Sequence, residues 1–81
     1  MEAKRMRETY EAKMGKCRQD AVAAMGEAAR AIHAGNWEAA QVHLDTARTV
    51  ALAAREARTL FLLVASDEDR ETVLFPSGRS A

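Results

Sequence analysis

The sequence predicts an all-α fold: a long antiparallel helical hairpin, expected to pair into a four-helix bundle. Three observations predict it. Alanine fills 18 of 81 positions while glycine and proline together fill five, a composition biased toward helix. Apolar residues recur at steps of three and four over two long stretches, the period of one helix face. A single short break, His33-Ala34-Gly35-Asn36-Trp37, separates the two stretches.

The first helix is predicted over about residues 2–34. Its stripe is Met6, Tyr10, Met14, Cys17, Ala21, Ala24 or Met25, Ala28 and Ile32. Lys4, Glu8, Arg7, Glu11, Lys16 and Asp20 fill the other faces as opposite charges four apart, which support a solvated helix. Gly15 and Gly26 interrupt this pattern. Each either weakens the helix or admits a neighbouring backbone, and spacing alone does not choose between these.

Gly35 suits the left-handed position that ends a helix, and Asn36 is a favoured N-cap for the next. Trp37, the first helical residue after that cap, is expected to staple the turn by folding over Ala34, Ala40 and Gln41. The second helix follows over about 37–65, with the stripe Trp37, Ala40, Leu44, Ala47, Ala51, Ala54, Ala57, Phe61 and Val64. So short a connection forces the helices antiparallel, and about 30 residues each makes them roughly 45 Å long. Facing residues should then sum to about 71 or 72, setting Tyr10 against Phe61, Ala21 against Ala51 and Met6 near Val64 or Ala65.

Ser66-Asp67-Glu68-Asp69 is a second start signal, a serine cap followed by acids that suit a helix N-terminus. It marks either a short third helix over about 67–74 or an extension of the second. Residues 1–75 are read as one hairpin domain and 76–81 as a loose tail.

Composition narrows the function. Twelve basic and 12 acidic side chains cancel, unlike the basic excess of a dedicated nucleic-acid binder or a polybasic membrane anchor. The longest apolar run, Leu60 to Ala65, is too short to span a bilayer. Met1-Glu2-Ala3-Lys4-Arg5 leads into charged residues rather than a signal-peptide core, and the lone Cys17 suits a reducing compartment. A cytoplasmic protein without membrane attachment is expected.

No constellation of residues points to catalysis, a metal or a cofactor, and none is expected. His33 and His43 flank the turn without the four-residue spacing of helix-borne metal ligands, so they are read as surface or capping residues. Cys17 should lie near Ala54, far along the helix from either histidine, and is read as a small buried apolar residue. Asp67, Glu68, Asp69 and Glu71 lack the glycine and ligand spacing of a calcium loop. Arg48, Arg55 and Arg58 share one side of the second helix, where they could hold a phosphate or an acidic partner; Asp45 and Glu56 intervene, so a mixed solvated face is the default reading.

Gly35-x-Trp37-x-x-Ala40-x-x-x-Leu44-x-x-Ala47, with Ala28 before the turn, resembles the middle of a tetratricopeptide repeat over residues 28–47. The pattern is common among helical hairpins. Glu27 stands where a large apolar residue is expected, no proline closes the second helix, and no second copy follows. With Arg58-x-x-Phe61 downstream, the segment is also similar to small bacterial regulators that bind and restrain AraC-type activators. The second resemblance implies a small regulatory binder, and no peptide-binding residues are carried over from the first.

Two helices cannot bury both stripes. Met6, Tyr10, Met14, Leu60, Phe61, Leu62 and Leu63 concentrate apolar surface at the end away from the turn, which is read as a dimer or partner interface. The expected function is therefore a small non-enzymatic regulator, an inhibitor or accessory protein of a bacterium or phage, that binds a partner protein as a homodimer. The alternative is a nucleic-acid-associated regulator using Lys4, Arg5, Arg7, Lys13, Lys16 and Arg18.

Overall fold

The computed structural model describes residues 2–75, with side chains from Lys4 onward. The described residues form three helices and no strand: α1 (Glu2–His33), α2 (Trp37–Val64) and α3 (Asp67–Leu74). The tail expected over 76–81 lies outside the described residues.

Gly35 makes the turn. Its φ of +74° is the left-handed region, where a side chain would be strained. Its N–H donates to the Ile32 carbonyl at 2.9 Å, and the Asn36 N–H donates to the Ala31 carbonyl at 2.8 Å. This pair of bonds occupies carbonyls that the end of α1 would otherwise leave open. Asn36 then starts α2, its side-chain oxygen accepting from the Ala39 N–H at 3.1 Å. The helix limits fall within a residue of those expected.

Helices α1 and α2 pack together as a hairpin. Tyr10 and Phe61 stack, with ring centroids 4.3 Å apart and planes 13° from parallel. Farther along, Cys17 and Ala21 of α1 share a hollow with Ala51 and Ala54 of α2. These contacts follow the register expected from the turn.

The seam between the helices is narrower than the two predicted stripes. Its buried apolar residues are Ala24, Ala28, Ala40, Phe61 and Ala65, all alanine but one. Met25 and Ile32 are exposed while Ala24 is buried, and Trp37, Leu44 and Val64 also face solvent. Methyl side chains leave little bulk between the axes, so the helices meet along a thin line. Larger residues at the stripe edges then fall on the flanks. The interior glycines do not tighten the seam. A Cβ added at Gly15 would meet nothing within 4 Å, and one at Gly26 would meet only the end of Arg30 at 3.9 Å.

Ser66 resolves the third element as a separate helix. Its backbone is extended, and its hydroxyl accepts from the Asp69 N–H at 3.2 Å. Two arginines tie α3 down. Arg70 donates through Nε to the Leu62 carbonyl and through Nη2 to the Ala65 carbonyl, each at 3.0 Å, closing the exposed end of α2. Arg7 of α1 donates to Asp69 Oδ1 at 3.0 Å, a contact between residues 62 apart in sequence. Asp69 is only 6% exposed, so its charge is buried with a charged partner.

The molecule measures 49 × 28 × 16 Å. Its thickness is little more than the roughly 10–12 Å diameter of one helix. The hairpin is therefore a single layer with two broad faces, and nearly every side chain outside the seam belongs to one of them.

Candidate functional site

One face carries a groove of about 720 Å³ at the end away from the turn. Met6 and Tyr10 line it from α1, and Ala53, Ala57, Leu60 and Val64 line it from α2. Leu63 closes the rim, together with Arg5, Lys13 and Glu56. Leu60, Leu63 and Val64 are 65%, 72% and 64% exposed, so the apolar wall opens to solvent.

The seven residues expected at the interface divide among four environments. Met6, Tyr10, Leu60 and Leu63 line the groove. Phe61 also touches it but is 6% exposed, and its ring belongs to the seam against Tyr10. This corrects the expectation that a lone hairpin exposes Phe61. Met14 lies in a separate hollow of about 180 Å³ beside Cys17. Leu62 is half-buried, with its carbonyl held by Arg70 of α3. The reason is geometric: four consecutive helical residues are spread around the axis at about 100° each and cannot share one side.

At the turn, Gly35 and Asn36 take their expected parts. Trp37, which begins α2, is 67% exposed.

The opposite face joins the arginine side of α2 to residues of α1. On α1, Arg7, Arg18, Met25 and Ile32 stand at intervals of 11, seven and seven, so they share one side, with Val22 at its edge. On α2, Trp37, Leu44, Arg48, Ala51, Arg55, Arg58 and Leu62 follow one another at steps of seven, three and four. Arg18 and Ala51 line one hollow, which places both rows on the same face of the hairpin. At the far end of that face Arg7 meets Asp69 of α3. Toward the turn, Val22, Met25, Ile32, Leu44 and Trp37 are exposed. Spacing alone puts Arg48, Arg55 and Arg58 on one side of α2, whereas Ile32, Leu44 and Trp37, and Met25 as the alternative to Ala24, fit an apolar stripe equally well.

The cations of α1 do not assemble. Arg5 and Lys13 border the groove, Arg7 is held by Asp69, and Lys16 pairs with Asp20 at 3.3 Å. Arg18 lies on the opposite face. His33 lines a shallow hollow with Ala29, Arg30 and Ala34, while His43 is half-buried on α2. Glu27 receives a 2.6 Å hydrogen bond from Arg30, which holds its carboxyl below the ordinary glutamate value and raises Arg30 in turn. A weaker pull on Glu27 comes from His43. Among the described residues, no group of three or more His, Cys, Asp or Glu side chains is placed to hold a metal. No helix among them is long and apolar enough to cross a membrane.

No protein-family model, curated protein or solved structure matches this chain.

Proposed function

We propose that this chain is a small non-enzymatic regulator that acts in the cytoplasm by binding a partner protein, and that it does so as a homodimer. The observation that carries the reading is the open groove walled by Leu60, Leu63 and Val64. A contiguous apolar surface of that kind on so thin a molecule marks an interface.

A second copy suits the groove because its rim is self-complementary. Arg5 and Lys13 stand on the α1 side and Glu56 on the α2 side. A two-fold axis parallel to the helices lays α1 of one copy over α2 of the other, bringing Lys13 toward Glu56 of the second copy. Two antiparallel hairpins joined this way form a four-helix bundle, which supplies the apolar burial that an alanine seam lacks. Since Phe61 is already internal, Leu63→Asp is the cleaner test. Light scattering should show a dimer for the native chain and a helical monomer for Leu63→Asp. A native chain that is a folded 8.9 kDa monomer at micromolar concentration would remove the dimer from this reading.

A further inference from the structure

The arginine-bearing face opposite the groove has a different chemistry. Arg18, Arg48, Arg55 and Arg58 are exposed, and none has an ion-pair partner among the described residues. They form a basic band across the middle of the face. Beyond it, toward the turn, lies the exposed apolar strip of Val22, Met25, Ile32, Leu44 and Trp37. At the other end of the face one arginine is already met by a carboxylate of a helix. That helix, α3, opens with Asp67, Glu68 and Asp69 and docks by setting Asp69 against Arg7.

We propose that this face binds an acidic amphipathic helix of a partner protein, its carboxylates meeting the arginines as Asp69 of α3 meets Arg7. The proposal rests on the reading of this chain as an interaction protein and names the chemistry of its partner. Acidic side chains would meet the arginine band, while one apolar stripe would lie on Val22, Met25 and Leu44. From Arg18 to Ile32 the face runs roughly 21 Å, room for about four turns of helix.

Two other occupants fit less well. A second copy turned onto this face by a two-fold axis would set arginines against arginines. A nucleic acid would use the arginines but leave the apolar strip without a partner, since phosphate contacts need only charge.

Trp37, the one tryptophan in the chain, borders the strip and reports its occupancy. The full-length chain is titrated with three probes: a synthetic Leu/Glu amphipathic helix, the same helix with Lys for Glu, and a short DNA duplex. The Leu/Glu helix should shift Trp37 emission to the blue and saturate. Its affinity should fall about tenfold or more in the double variant Arg48→Glu, Arg55→Glu, and should also fall as salt is raised. Both arginines are exposed, so that variant should keep its helical circular dichroism. Met25→Asp provides an independent variant on the apolar strip and should weaken the same binding. The proposal is overturned if the Leu/Glu helix gives no shift, if the Lys helix or the duplex binds as well, or if arginine reversal changes the oligomeric state instead. A native partner captured equally by the wild-type and arginine-reversed chains would leave the interaction role standing and remove this face from it.

Discussion

The two ends of the hairpin are held by different means. At the turn, the chain is secured by contacts between residues at most five apart: the Gly35 and Asn36 amides on the Ile32 and Ala31 carbonyls, and the Asn36 side chain on Ala39. At the open end, the ties join residues distant in sequence: Tyr10 on Phe61, and Arg7 on Asp69. Local ties cost little chain entropy, whereas distant ones must close long loops before they contribute. The turn end thus sets the direction of the hairpin, and the open end determines whether the far halves of its helices stay together.

Removing the largest distant contact should separate the two ends most clearly. Phe61→Ala takes the one large side chain out of the seam and should cost about 3–5 kcal/mol in chemical denaturation. Hydrogen exchange should show faster opening at the open end than near Ala28. Asp69→Ala should cost less, about 1–3 kcal/mol, because Arg7 is partly exposed and can regain water. Limited proteolysis of that variant should cut first around α3. At the turn, Gly35→Ala meets no atom within 4 Å, so its cost is conformational alone, about 1–2 kcal/mol. A Gly35→Ala loss larger than that of Phe61→Ala would reverse the comparison and make the turn the dominant anchor.

The smallest expected effect is electrostatic. The Glu27 carboxyl is held low chiefly by the Arg30 hydrogen bond. Because its folded value lies below its unfolded value, whatever it contributes is present at neutral pH and is lost as pH falls through the folded value. An NMR titration should find its midpoint below that of an ordinary glutamate, and Arg30→Ala should restore it. Both groups are solvent-exposed, so the change in stability should be marginal.

The same contrast explains how much the sequence disclosed. The helix breaks, the glycine turn, the asparagine and serine caps and the Tyr10–Phe61 register follow from short-range chemistry and a fixed period, and all were legible. The width of the seam was not. Periodicity identifies the centre of an apolar stripe but not how far around the helix burial extends, and that depends on how closely the axes approach. Ile32, Leu44 and Val64 therefore read as core although they face solvent, and of the alternatives Ala24 and Met25 only Ala24 is buried. The docking of α3 was equally hidden, because Arg7 and Asp69 give no sign of each other across 62 residues. For the candidate surfaces, the groove was half visible as a run of leucines. On the arginine face, the side shared by Arg48, Arg55 and Arg58 is legible in the spacing, but that Arg18 joins it from α1 is not.

The alanine seam also has a calorimetric consequence. The heat capacity released on unfolding tracks the apolar area newly exposed to water, and denaturant sensitivity tracks the total area exposed. A seam built mostly of methyl groups exposes little of either. The hairpin's stability curve is accordingly flat and its melt broad, even when every helix is fully formed. Association of two hairpins adds the leucine-rich groove to that area, so a melt that sharpens with rising protein concentration is the thermal signature of assembly rather than of a better-formed monomer.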